Sequence, residues 1–304
     1  WTVDGGSGVD DHLLAVTSEG EVALYKGTDP STAANFALQG VYFIGKPVGT
    51  RFYTKKGGDV IFLTSSGVVS FTGFLQDAAQ VEKAALSDRI LPTLQSDILA
   101  YGATSGWELH HYVEETLLIV QVPAGSVGSR YQWVQNTQTG AWSRLYMADA
   151  ATFAILNRVL YAGHSTQVVN SWTGGTDGED DIEYTIVPAF SYFGTPSSNK
   201  KFSLGRVVFE ADARPAFQVK LLSNFDQSFN FASLVAGATN ESLWGTALWG
   251  EATWLGSVQY YRPWSNLNGQ ASSGTMAIQG VHQGSVLRLV EFTYVYEEGG
   301  LLGP

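Results

Sequence analysis

One hairpin-shaped phrase recurs three times before residue 174 and limits the fold more than any other feature. Leu13-Leu-Ala-Val-Thr-Ser-Glu-Gly-Glu-Val-Ala-Leu-Tyr-Lys-Gly27 parallels Val60-Ile-Phe-Leu-Thr-Ser-Ser-Gly-Val-Val-Ser-Phe-Thr-Gly73. Val159-Leu-Tyr-Ala-Gly-His-Ser-Thr-Gln-Val-Val-Asn-Ser-Trp-Thr-Gly174 fits with two residues added in its turn. Each time an apolar strand runs into a small polar turn, and a second strand returns to an aromatic-x-Gly stop. A hairpin recurring at roughly 40–50 residues, or multiples of that, points to propeller blades. The plainer alternative is a set of generic hairpins in a sandwich.

Strand signals dominate the same region. His12–Tyr25, Val41–Tyr53, Val60–Phe71, Leu109–Val122, Tyr131–Leu145 and Phe153–Trp172 each read as one or two short strands. Ser18-Glu-Gly20, Lys56-Gly-Gly-Asp59, Ser65-Ser-Gly67 and Gln138-Thr-Gly140 punctuate them as turns. Helix is expected only near 77–96, where Val81, Ala84, Ala85 and Leu86 approach 3.6 spacing. There Ser87 reads as the cap of a second short helix, and Pro92 as the kink or end. Trp107, Trp133, Trp142 and Trp172 read as blade core.

Gly174-Gly-Thr-Asp-Gly-Glu-Asp-Asp181 has the composition of a linker. The expected organisation is all-β: a propeller-like region over 1–176 with the helical insertion, then a β-sandwich-like domain over 177–304. Strands beyond the linker are longer, and Arg288–Tyr296 alternates well between two faces. The strands expected there are Ile182–Phe193, Phe202–Glu210, Phe217–Leu222, Val258–Trp264, Thr275–Val281 and Val286–Glu297. A Trp-rich loop at 240–256 interrupts this domain.

That loop places Trp244, Trp249 and Trp254 five residues apart, with Gly245 and Gly250 breaking the segment at the same interval. Five matches neither the strand nor the helix period, so the segment reads as a looped ribbon. Each indole buries ~150–250 Å², worth roughly 4–6 kcal/mol before entropy costs. Rings of that worth close a domain seam or meet a partner. Trp244, Trp249 and Trp254, with Tyr260, Tyr261 and Trp264 close behind, are therefore the candidate subunit interface.

The ribbon resembles the repeated W-G/D-x-x-x-W segment in tail proteins of short-tailed double-stranded DNA phages, of the nozzle or tail-hub kind. Trp1-Thr-Val-Asp-Gly-Gly-Ser-Gly8, Ala85-Leu-Ser-Asp-Arg-Ile90, Gln135-Asn-Thr-Gln-Thr-Gly-Ala-Trp-Ser-Arg144, Phe190-Ser-Tyr-Phe-Gly-Thr-Pro196 and Tyr296-Glu-Glu-Gly-Gly-Leu-Leu302 look like the same family. The resemblance implies a virion protein assembled in the host cytoplasm. It also implies a homo-oligomeric ring, commonly a hexamer, around the channel through which genomic DNA passes without specific binding. The implied partners are further copies of the chain, a tail adaptor protein, and tail fibre or spike proteins.

Charge agrees with that role. Net charge is −11, with 17 basic and 28 acidic residues. Up to Glu179 there are 10 basic against 17 acidic residues, and beyond it 7 against 11, so both parts are acidic. No basic stripe exists to hold phosphates. Ordinary solubility accounts for this as well as a channel that repels DNA does. The 15% of charged residues is well below the ~25% average, which leaves neutral surface for interfaces. There is no cysteine, hence no disulfide or thiolate metal site. No apolar stretch approaches ~20 residues, so no membrane span is expected. The opening at Trp1, without methionine or signal-like segment, leads to an expectation of further chain upstream.

Chemistry is sparse. His12 follows Asp10-Asp11 without a nucleophile and reads as a solvated turn. His110 and His111 point to opposite faces of a strand and cannot share a metal, and Glu114-Glu115 have the same fault. His164 and His282 sit beside glycine in turns. Lys200-Lys201 reads as an exposed turn, or as a contact to an acidic neighbour. Glu108, Asp149 and Glu210 are available carboxylates, with nothing nearby to pair them across a cleft. Thr137-Gln-Thr-Gly-Ala-Trp142 resembles the Asp-box turn of sialidase propellers, with Thr139 where the aspartate belongs. No catalysis, metal or cofactor is expected. The alternatives are a receptor- or glycan-binding tail component using the Trp ribbon and, after that, a propeller glycosidase.

Overall fold

The computed structural model describes residues 2–4, 9–27, 29–32, 35–76, 85–125, 130–146, 149–177, 180–234, 258–284 and 286–301. Among the described residues the protein is mostly β, 55% strand and 8% helix, and every strand pairing within its sheets is antiparallel. The chain divides into two compact units, Trp1–Trp172 and Thr173–Pro304.

Among the described residues the first unit contains four sheets, each completed before the next begins. They are β1 (Thr2–Asp4) to β4 (Phe36–Phe43), with β2 (Val9–Val16) and β3 (Glu21–Gly27) between; then β5 (Tyr53–Lys56), β6 (Asp59–Thr64) and β7 (Gly67–Ser70). The third is β8 (Glu108–Tyr112), β9 (Leu117–Val122), β10 (Tyr131–Asn136) and β11 (Trp142–Leu145). The fourth is β12 (Thr152–Leu156), β13 (Val159–Gly163) and β14 (Val168–Asn170). In all four, strands adjacent in sequence are adjacent in space. The recurring phrase forms β2–β3, β6–β7 and β13–β14, the second and third strands of their sheets.

Consecutive sheets pack face to face because their strands are apolar on both sides. Val60 and Phe62 of β6 join Val22 and Leu24 of the first sheet, and Ile44 just after it, in one core. Ile61 and Leu63, one residue out of phase, join Leu118, Val120 and Trp133 of the third sheet in the next. Leu117, Ile119 and Val134 then meet Phe153, Leu160 and Ala162 of the fourth. Strands buried on both faces read as continuous apolar runs, as Leu117–Val122 does. The first strands also adjoin. Arg51, just before β5, makes a parallel bridge to Glu108 of β8, and the Leu109 amide donates to the Arg51 carbonyl at 2.9 Å.

The helical insertion departs from expectation. A short α1 (Phe71–Gln76) precedes it, and residues 77–84 lie outside the described ones. A 3₁₀ turn at Asp88–Ile90 leads into α2 (Leu91–Tyr101), which runs past residue 96. Pro92 starts this helix, because a residue without an N–H is harmless in the first turn. Ser87 caps nothing with its side chain; its buried hydroxyl accepts from the Val68 amide of β7 at 2.9 Å.

In the second unit, β15 (Ile182–Ile186), β20 (Gly274–His282) and β17 (Ala216–Ser223) form one sheet. The other centres on the 14-residue β16 (Ser198–Ala211). The 15-residue β21 (Leu287–Leu301) lies on one side of it, and β18 (Gln259–Tyr261) and β19 (Trp264–Ala271) on the other. Phe202, Val207 and Phe209 of β16 share one core with Met276 and Ile278 of β20 and with the partly buried Phe217 and Leu221 of β17. Strand β19 was not anticipated, since Ser265–Gly269 carries one large apolar residue; it exists because β16 offers it a partner. The stretch expected as a strand to Phe193 ends at Ile186.

Candidate functional site

Of the six expected interface residues, Tyr260, Tyr261 and Trp264 are described. Trp244, Trp249 and Trp254, with the loop 240–256, lie outside the described residues. Register decides what the three tyrosine and tryptophan rings can do. Tyr260 stands opposite Glu210, and Trp264 opposite Arg206, so both share the outward face of β16. Tyr261 stands opposite the fully buried Phe209 and turns the other way. There it lines an open cleft of about 690 Å³ with Arg214, Phe217, Arg262 and Pro263. The three residues thus do not form one patch.

The outward face is an aromatic and guanidinium surface. Trp264 and Tyr260 are 49% and 54% exposed. Arg206 lies over the Trp264 ring at 5.1 Å, and Arg262 over Tyr260 at 5.5 Å. Arg206 donates to Glu291 Oε1 at 3.0 Å and to Thr293 Oγ1 at 3.3 Å. Arg288 donates to Glu210 Oε2 at 3.0 Å. The Thr293 hydroxyl, then Arg206, hold the Glu291 carboxyl below its usual range. Each cation–π contact at this exposure is worth about 0.5–1 kcal/mol. They hold the two rings in place on this face.

The most strongly perturbed carboxylate, Glu108, stands in the first unit. Its side chain is 7% exposed and accepts from Arg51 Nη1 at 2.8 Å, Thr152 Oγ1 at 2.7 Å and the Phe153 amide at 3.0 Å. His110 Nε2 lies 2.9 Å from its second oxygen. Burial works to raise this carboxyl, but the hydrogen bonds from His110, Phe153, Thr152 and Arg51 outweigh it and hold it at about 2. An acid this strong, with both oxygens engaged, stays ionised at neutral pH and is no proton donor. It ties together the starts of the second, third and fourth sheets. Asp149 and Glu210 pair in the same way with Arg130 and Arg288, each at its own place.

Two further features left no mark in the residue pattern. Arg144 of β11 sits 5.4 Å from the Tyr131 ring, 5.8 Å from Trp133 and 5.5 Å from Tyr146. The Trp133 indole N–H donates to Asp97 of α2 at 2.8 Å. Lys200 is fully buried, contrary to the exposed turn expected of it; Lys201 beside it is exposed. The Lys200 ammonium donates to the carbonyls of Thr195, Ser198 and Ser272. Strand alternation explains both outcomes, since adjacent residues of β16 face opposite ways.

The remaining expectations fall as follows. His12 lies within β2, opposite Lys26, rather than in a turn. His282 ends β20, buried, 3.2 Å from Asp212. His110 and His111 do diverge, His111 lying 3.2 Å from the Lys55 carbonyl. Trp107 and Trp133 are core and Trp142 packs against it, but Trp172 is 41% exposed. In the turn that resembles an Asp-box, Asn136 supplies the missing acceptor, taking the amides of Gln138 and Thr139 at 3.0 Å each. Among the described residues no cluster of three or more His, Cys, Asp or Glu side chains could hold a metal ion. No helix among them is long and apolar enough to cross a membrane. No protein-family model matches the chain, and no curated protein matches it.

Proposed function

We propose that this chain is a structural subunit of a short-tailed phage tail, of the nozzle or hub kind. It assembles into a homo-oligomeric ring around the DNA-ejection channel and anchors the adaptor and the fibre or spike proteins. In this reading the first unit is propeller-like: four consecutive meander sheets stacked in chain order, with the first strands of the second, third and fourth side by side, support it. The second unit is read as sandwich-like, from two antiparallel sheets sharing one core. The observation that carries the assembly role is the exposed Trp264–Arg206 and Tyr260–Arg262 face. Trp, Tyr and Arg are the residues that dominate protein–protein hot spots.

The test is the state of the purified protein. Light scattering and electron micrographs at tens of micromolar are expected to give rings. Tyr260→Ala with Trp264→Ala is expected to weaken assembly at least about tenfold while far-UV circular dichroism is unchanged. A monodisperse monomer that does not join purified tails overturns the proposal. The half-exposed rings also favour a second reading, a glycan- or receptor-binding tail component. In that case the same variant assembles normally and loses cell adsorption.

A further inference from the structure

Arg-Pro occurs twice in this chain, at Arg214-Pro215 and Arg262-Pro263, and both pairs line the open cleft of about 690 Å³ in the second unit. The first pair lies in the connection from β16 to β17, and the second is the link from β18 to β19. A proline confines the residue before it to extended backbone, so the path of each arginine is set in advance. Both arginines are exposed, while Phe217 and Tyr261 in the same cleft are half-buried. Phe217 keeps one side on the core, its ring centre 5.0 Å from that of Phe209.

Arg51, Arg130, Arg158, Arg206 and Arg288 each hold a Glu or Asp side chain. The two cleft arginines do not. Among the described residues the Arg214 guanidinium meets no carboxylate. Arg262 rests over Tyr260 and reaches Glu291 only through space, since Arg206 holds that carboxyl. Their charge goes unanswered although acidic residues outnumber basic ones 28 to 17.

We infer that the cleft takes an acidic, apolar peptide segment of another tail protein. Its carboxylates meet Arg214 and Arg262, and an apolar side chain rests on Phe217, Tyr261 and Pro263. A guanidinium receives a carboxylate through two parallel N–H groups, which gives the contact direction as well as strength. The volume falls within the ~300–1,000 Å³ of ligand-sized sites. The lining speaks against other occupants. A sugar presents many hydroxyls, but among the described residues the cleft offers only the Tyr261 and Ser265 hydroxyls and no carboxylate or amide side chain to receive them. Hydroxyls that lose water without a partner cost affinity. A nucleic acid draws its affinity from a long row of phosphate contacts, and two cations are too few. The inference rests on the anchoring role proposed above and names the chemistry of one anchored segment.

The test is a library of immobilised hexapeptides with two apolar residues between two acidic ones. Each stands beside its amide counterpart, with Asn and Gln for Asp and Glu. The purified protein in about 0.1 M NaCl is expected to bind acidic members, and to bind their counterparts at least about tenfold more weakly. Arg214→Gln is expected to weaken binding of the same members at least about tenfold, with Arg214→Lys recovering part of the loss, because charge remains without the fork. Arg214 is exposed and lies outside the Trp264–Tyr260 face, so circular dichroism and self-assembly are expected to stay wild-type. No preference for acidic members, or binding that Arg214→Gln leaves unchanged, overturns the inference. Oligogalacturonate held through Arg214 more tightly than any peptide overturns it in favour of an acidic sugar. Self-association lost in Arg214→Gln overturns it in favour of a second copy. All these outcomes leave the ring reading standing, whereas a monomeric wild-type protein that binds the acidic peptides overturns the ring and keeps the peptide site.

Discussion

Glu108 carries the largest stabilising consequence of any single ionisable group described above. Its carboxyl titrates at about 2 when folded, against 4.5 when unfolded. A depressed carboxyl stabilises the fold above its unfolded value, and that contribution is lost as pH falls from 4.5 towards 2. At neutral pH the difference is of order 3 kcal/mol. Glu108→Gln, which removes the charge facing Arg51 and puts an NH2 group where one of the two accepting oxygens stood, is expected to cost about 2–3 kcal/mol near pH 7. It is also expected to flatten the loss of stability between about pH 5 and pH 3. Urea titrations of both proteins across that range check this; equal slopes would show that Glu108 is not the group responsible. Lys200 teaches the complementary lesson. A charge in a sequence advertises surface, yet three carbonyls converging on one ammonium make the interior acceptable.

At the scale of elements, the hairpin turns were readable because their chemistry is local. In the Thr17–Gly20 turn, Gly20 sits at φ +96°, where a side chain is strained. A Cβ there would lie 2.3 Å from the Gly45 carbonyl oxygen, which belongs to backbone and cannot rotate away. Gly20→Ala is therefore expected to destabilise the first unit by at least about 2 kcal/mol. A melting temperature within a degree or so of wild type would contradict this. The same locality explains the errors. Pro92 is compatible with both the end and the start of a helix, and only the path of the chain through the 3₁₀ turn chose the start. Strand β19 has weak propensity of its own and was formed by its neighbour β16. Ser87 has the residue type of a cap, but its hydroxyl was taken by the Val68 amide.

For the whole molecule, the proposed ring would be held by aromatic side chains against a net charge of −11 per copy. Salt screens the repulsion between copies, with a Debye length falling from ~10 Å at 0.1 M to ~3 Å at 1 M. Apolar contacts are not weakened by it. Assembly is thus expected to persist or strengthen from about 0.1 M to 1 M NaCl, as followed by sedimentation; dissociation at high salt would mean that ion pairs hold the contact. What residue order alone determined was the all-β class, the hairpins and their turns, and the apolar phase of each strand. These depend on neighbours two to four positions away. The tertiary structure alone decided that the repeated hairpins occupy equivalent strands of successive sheets, that Glu108 meets Arg51 and Thr152, and that Trp264 and Tyr260 share a face which Tyr261 leaves. Those pairings join residues 57 and 44 positions apart, or depend on which strand lies alongside. No local periodicity encodes them, because strand partnership is selected by burial of whole faces.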